Sequence, residues 1–158
     1  MKRFVARYYC PRLADEPLVK VGITVGKPRR ITYPLAGTVP ALAPYGRLFQ
    51  MEDPDEFFPA YVERLEKHGV AQLGETLASI SQAHGDGDLV LLCYEDCRYD
   101  KDGLLQDWCH RLVFAAWWYE QTGGAVLDVE HLRQGYDQPL TLEALRQVIA
   151  APRQPRLW

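Results

Sequence analysis

Leu89-Val90-Leu91-Leu92-Cys93-Tyr94-Glu95, followed after a polar loop by Asp107-Trp108-Cys109-His110-Arg111-Leu112-Val113-Phe114-Ala115-Ala116-Trp117-Trp118, decides how this chain of 158 residues folds. The first run is continuously apolar up to Cys93 and follows the turn Gly85-Asp86-Gly87-Asp88, the pattern of a central strand buried on both faces. The second is apolar nearly all round and stops at Gly123-Gly124, as a largely buried helix does. A strand buried on both faces needs a layer on each side. The expected architecture is therefore α/β, a single three-layer domain with a mixed or mostly parallel central sheet flanked by helices.

Working upstream, residues 3–10 read as a first strand rich in Phe, Val and Tyr, stopped by Pro11. Residues 19–25 read as a second, and Gly26-Lys27-Pro28-Arg29-Arg30 breaks it into a basic loop. Residues 33–45 hold prolines and glycines enough for a long irregular segment. Asp53 is a natural N-cap with Pro54 at the first helical position and Glu56 three residues on. Pro59 should kink or restart that helix before it stops at Gly69. Val70, Leu73, Leu77 and Ile80 mark a second amphipathic helix. Downstream, residues 107–122 are expected as a helix capped by Asp107, residues 125–127 as a short last strand, and residues 142–150 as a final helix capped by Thr141. Residues 1–151 are expected to form one domain, with 152–158 as a tail.

Composition bounds the function. At 47% apolar and 25% charged residues the chain matches ordinary globular proteins, and its length suffices for a core without disulfide or metal staples. Phe4-Val5-Ala6 is cut short by Arg7, so no secretion signal is expected, nor any membrane span. A cytoplasmic location follows, with the four cysteines read as reduced thiols. The net charge of −3 hides an asymmetry: residues 1–50 carry +7 and the remainder −10. Lys27, Arg29, Arg30 and Arg47 are thus candidates for facing an anion. A nucleic-acid partner is possible but not favoured in an overall acidic chain.

The candidate site lies at the strand end and the helix start. Ligands of open α/β sheets gather at the carboxyl ends of strands, where loops lead into helix N-termini. With Asp107 as N-cap, Cys109 and His110 fall at the second and third helical positions, among unpaired N–H groups and the positive end of the helix dipole. Arg111 adds a full charge. Glu95, Cys109 and His110 are the candidate catalytic residues, and Cys93, Arg29, Arg30 and Arg111 the candidate ligand-binding ones. The dipole shifts a thiol by under about one pKa unit, too little to ionise Cys109 at neutral pH without help from His110 or an arginine. Glu95 is expected either as a desolvated acid or base or as an ion-pair partner of Arg98, Arg111 or the basic loop.

Two motifs fail on spacing. Thiol phosphatases need five residues between Cys and Arg, whereas Cys93 and Arg98 enclose four, including Glu95 and Asp96. Zinc held by Cys93, Cys97, Cys109 and His110 is disfavoured because neighbours on a helix project about 100° apart. Neither a metal nor an organic cofactor is expected.

These residues resemble the uncharacterised bacterial family called domain of unknown function 488. It is similar in a strand ending Leu-Cys-x-Glu, here Leu92, Cys93 and Glu95, and in a Cys-His-Arg helix start, here Cys109, His110 and Arg111. Weaker similarity lies at Ile23 to Arg29 and at Leu42-Ala43-Pro44, and the likeness spans residues 1–125. The chain departs from that pattern in a long acidic insert over residues 96–107. The resemblance implies a single α/β domain with clustered motif residues and no established activity. Three readings compete: an enzyme acting on a phosphorylated or other anionic small molecule, a nucleotide included; a non-catalytic nucleic-acid or protein binding module; and a purely structural polar network around Glu95, His110 and Arg111.

Overall fold

The computed structural model describes residues 1–150, so the expected tail lies outside the described residues. Five strands form one sheet: β1 (Arg3–Arg7), β2 (Val19–Gly22), β3 (Gly37–Thr38), β4 (Leu89–Cys93) and β5 (Val126–Asp128), in the order β3-β2-β4-β1-β5. Every pairing is parallel. β4 runs between β1 and β2, Val5 opposite Leu91 on one side and Val21 opposite Leu91 on the other. That position explains its sequence: all five of its residues are buried, and every backbone group of a central strand is paired across the ladder.

Helices α1 (Pro54–His68), α2 (Val70–Ala83), α3 (His110–Thr122) and α5 (Leu142–Val148) cover one face. There Val5, Val21, Leu89 and Leu91 pack with Phe57, Leu73, Phe114 and Leu145. The other face carries Ala6, Val90 and Leu92, covered by Leu13, by Val129 of helix α4 (Val129–Arg133) and by the irregular segment through Ile31, Tyr33 and Leu35. Strand alternation sends Leu89, Leu91 and Cys93 to the first face and Val90 and Leu92 to the second. The three-layer α/β domain is thus the observed fold, its sheet wholly parallel.

Several boundaries differ from the sequence reading. β1 ends at Arg7 because the chain turns there, Cys10 N–H donating to the Arg7 carbonyl at 3.1 Å. β2 stops at Gly22, and the irregular segment after it contributes β3, a two-residue edge strand too short to leave a periodic signal. Pro59 does not interrupt α1, which runs through it while Asp53 caps the start by accepting from Asp55 N–H at 2.8 Å. Helix α3 begins two residues later than expected. Its N-cap is Cys109, in extended backbone at φ −150° and ψ 159°, and Asp107 instead accepts from its neighbour Trp108 N–H at 2.9 Å. Helix α4, capped by Asp128 through Glu130 N–H at 2.8 Å, has one and a half turns and was not foreseen. Thr141 caps α5 as expected, accepting from Ala144 N–H at 3.1 Å. Among the described residues, no helix is long and apolar enough to cross a membrane.

Candidate functional site

From β1 the chain steps outward to β2 and β3, then returns to insert β4 between β2 and β1 and passes on to β5, so the connections leaving β2 and β4 run in opposite directions across the sheet. Loops leaving the carboxyl ends of neighbouring strands diverge at such a point and leave a crevice. Here a pocket of about 120 Å³ opens beyond β2 and β4, lined by Thr24, Val25, Gly26, Pro44, Phe49, Tyr94, Glu95 and His110. Its rim is pinned by hydroxyls. Tyr94 Oη donates to the Gly26 carbonyl at 3.0 Å, Thr24 Oγ1 donates to the same carbonyl at 2.7 Å, and Tyr8 Oη lies 2.7 Å from Thr24 Oγ1. Tyr9 Oη donates to the Arg29 carbonyl at 2.8 Å. The basic loop therefore leaves the pocket rim at Gly26 and is held beside it.

Beneath the pocket lies a buried cluster. Cys93, the last residue of β4, and Cys109, the N-cap of α3, meet sulfur to sulfur as a disulfide pair, so the reading of all four cysteines as reduced thiols is corrected for these two. Neither is exposed. Their Cα atoms are 7.6 Å apart, beyond the 4.4–6.8 Å or so that a bridging disulfide usually spans. The separation suits two sulfurs converging on a shared point better than a bridge. Cys10 and Cys97 are the free thiols.

His110 joins cluster and pocket. Its Nε2 lies 2.7 Å from the Ile23 carbonyl oxygen and its Nδ1 3.4 Å from Cys109 Sγ. A carbonyl can only accept, so Nε2 carries a proton and donates it, and in the neutral form of the ring the Nδ1 lone pair then faces Cys109 Sγ. Sequence spacing alone argued that Cys109 and His110 diverge by about 100° on a helix. The two side chains do not diverge, because Cys109 is not helical: its extended backbone turns the thiol back toward the ring of the first helical residue. Cys93 Sγ, Cys109 Sγ and a His110 ring nitrogen all lie within 4.8 Å of one another.

Arg111 is buried as a bracket, 2% exposed. Its Nε donates to Asp128 at 2.9 Å, and its Nη1 donates to Cys93 Sγ at 2.8 Å and to the Glu95 backbone carbonyl at 2.7 Å. Burial works against its charge, but Cys97 and the Asp128 carboxylate beside it outweigh that and hold its pKa above the usual guanidinium value. Arg98 pairs with Asp96 at 2.8 Å. Burial alone would raise the Asp96 pKa, and the Arg98 bond and nearby Arg7 charge outweigh it, so that carboxyl sits below its ordinary range.

The structure thus brings Glu95, Cys109, His110, Cys93 and Arg111 together. Arg29 and Arg30 are exposed on the rim loop rather than in the pocket lining. Two partners escaped sequence reasoning. Asp128 could have been noticed as a cap before Val129-Glu130, but nothing local ties it to Arg111. The Ile23 carbonyl is backbone and leaves no trace in residue identity. His131, uninformative in the sequence, lies against the Tyr99 ring and places Nε2 2.6 Å from the Cys97 carbonyl oxygen, where it too must donate.

The two free thiols give a measurable contrast. Burial pushes the Cys10 pKa up to about 11 and that of Cys97 higher still. At pH 8 about 0.1% of Cys10 is thiolate, against roughly a quarter of a free cysteine. Iodoacetamide followed by peptide mass spectrometry should therefore find Cys10 labelled more than about 100-fold slower in the native chain than in the urea-unfolded one. The rate should climb about tenfold per pH unit as pH rises toward 11, because the reactive form is the deprotonated one. Equal labelling of native and unfolded chains would contradict this burial.

In comparisons with protein-family models, curated proteins and solved structures, nothing matches the chain.

Proposed function

We propose that this protein is an enzyme acting on a small molecule that carries a phosphate or another anionic group, nucleotides among the candidates. The carrying observation is that Glu95 and His110 line one pocket whose rim begins the basic loop of Lys27, Arg29 and Arg30. In this reading the rim arginines hold the anion and the pocket receives the reacting part. Glu95 carries the proton, because the His110 Nε2 proton is committed to the Ile23 carbonyl. Cys109 and His110 support the reaction from the pocket floor, and Arg111 fixes Cys93 and the Glu95 backbone. We further propose kinship with the domain of unknown function 488 family, resting on Leu92, Cys93, Glu95, Cys109, His110 and Arg111.

The nucleic-acid reading has less support. Of the tyrosines that could stack on bases, Tyr9 and Tyr45 are exposed, but Tyr8 is buried and Tyr33 donates its hydroxyl proton to the Tyr8 carbonyl at 2.5 Å.

A ligand panel tests the enzyme reading: inorganic phosphate, sugar phosphates and nucleoside monophosphates, titrated calorimetrically at low and raised salt. The tightest compound should bind the Arg29→Ala/Arg30→Ala double variant about tenfold more weakly, a loss of about 1.4 kcal/mol. Glu95→Gln should keep that binding and lose about 10²–10⁴-fold in turnover of the same compound. If no phosphate compound binds, or if the best one binds the double variant as tightly as the parent, the proposal is wrong.

A further inference from the structure

The cluster under the pocket contains the donor set of a metal centre. Two sulfurs and one imidazole nitrogen converge from three separately placed backbone positions: the end of β4, the N-cap of α3 and its first helical residue. Thiolate and imidazole together select a zinc-type divalent ion over the hard cations that prefer oxygen. The sulfur-to-nitrogen spacing of the cluster fits, while its two sulfurs, in direct contact here, fit only in the reduced chain once they part. A tetrahedral zinc with bonds of about 2.3 Å to sulfur and 2.0–2.1 Å to nitrogen separates S from N by about 3.6 Å and S from S by about 3.8 Å. Cys109 Sγ stands 3.4 Å from His110 Nδ1, and the two sulfurs need only part along their side-chain torsions.

The second observation is the outer layer, which is already built. A metal-bound histidine characteristically donates its other ring N–H to a carbonyl or carboxylate, which fixes the tautomer that offers a lone pair. His110 does this with the Ile23 carbonyl at 2.7 Å. Cys93 Sγ accepts from the Arg111 guanidinium at 2.8 Å, an interaction that favours thiolate, and Asp128 orients that guanidinium at 2.9 Å. Charge closes as well. Two buried thiolates and Arg111 with Asp128 would sum to −2, which one divalent ion neutralises. Binding sends the two thiol protons to solvent.

We propose that Cys93, Cys109 and His110 bind one zinc-type divalent metal ion. Three protein ligands leave the fourth position open, the arrangement of catalytic rather than structural zinc sites. His110 is the member that also lines the pocket, the side from which a water or substrate atom would approach the fourth position. The site stands independently of the anionic substrate proposed above: metal binding is measured with no substrate present, and a failed ligand panel leaves it untouched.

Cobalt(II) is the probe. The full chain, reduced and stripped with chelator, is titrated with cobalt alone and followed by absorption. A single cobalt per chain should bind, with a thiolate-to-cobalt charge-transfer band and the visible d–d bands of a tetrahedral site, and zinc should displace it. Cys93→Ser and Cys109→Ser should lose the charge-transfer intensity, His110→Ala should alter the d–d bands, and Cys10→Ser should behave as the parent. X-ray absorption at the zinc edge of the parent covers variants that do not fold: two sulfurs near 2.3 Å and nitrogen near 2.0–2.1 Å are expected. A nitrogen and oxygen shell without sulfur would overturn the assignment. So would a reduced parent that binds no cobalt, or a spectrum unchanged in folded Cys93→Ser and Cys109→Ser.

Discussion

Arg111→Ala is expected to destabilise the fold by about 3–5 kcal/mol, the cost of removing one partner from a buried ion pair. The guanidinium and the Asp128 carboxylate are both almost fully shielded, 2% and 1% exposed, and meet at 2.9 Å. Truncation leaves the carboxylate charged in the interior, and it removes the donor that serves Cys93 Sγ and the Glu95 carbonyl together. Urea unfolding followed by tryptophan fluorescence reads the loss. A chain of this size loses about 2–4 °C of Tm per kcal/mol, so the drop should be on the order of 6–20 °C. The double variant Arg111→Met/Asp128→Leu should recover part of it, since replacing both charges leaves none uncompensated. An Arg111→Ala chain as stable as the parent would mean that the bracket does not hold the fold. A structural role for Arg111 is compatible with an enzyme, because the same contacts aim Cys93 and the loop that carries Glu95.

Trp108→Ala should cost a similar amount, about 3–5 kcal/mol, through the cavity it leaves. The indole is 1% exposed. Its ring centroid lies 5.0 Å from that of Phe57 and 5.6 Å from that of Phe58, the second contact edge-on. Aromatic pairs in such tilted geometry add to plain area burial. The residue immediately precedes the Cys109 N-cap, so α1 fixes the start of α3 through this indole. The consequence should reach the site: cobalt should bind the folded Trp108→Ala chain at least about tenfold more weakly than the parent, the scale at which supporting contacts act on metal affinity. Trp108→Phe keeps most of the packed volume and should cost less than half as much in the same urea assay. Equal stability of the alanine variant and the parent would show that α1 does not anchor this helix start.

Some of this was legible in residue order because it depends on local pattern. A continuous apolar run can only be satisfied by burial on both faces, so Leu89 to Cys93 announced a central strand and, with it, the α/β layers. Asp53 with Pro54, Gly69, and Thr141 announced helix ends because caps are local hydrogen-bond chemistry. Cys93, Glu95, Cys109, His110 and Arg111 could be grouped in advance because a strand end and the next helix start face the same crevice in a parallel sheet.

Other features were illegible for equally physical reasons. β3 is two residues long and exists because β2 offers an edge to pair with. Pro59 stays inside α1, where Phe57, Phe58 and Tyr61 are buried on either side of it, because tertiary packing outweighs a lost backbone bond. The α3 boundary was illegible because Asp107 is the better N-cap residue by local chemistry, whereas Cys109 caps the helix without any side-chain hydrogen bond, beside the buried Trp108.

The strand, the helix and the gathering of their Cys, Glu, His and Arg residues were therefore determined by sequence alone, through periodicity and short-range bonding. Tertiary structure decided what those residues do. It turned Cys109 back toward His110 through an extended N-cap, paired His110 with the carbonyl of a residue 87 positions earlier, and assigned Arg111 to Asp128 rather than to the pocket. Those outcomes depend on which distant groups share a buried volume, where an unpaired charge or lone pair is costly, and no local pattern in the chain encodes that.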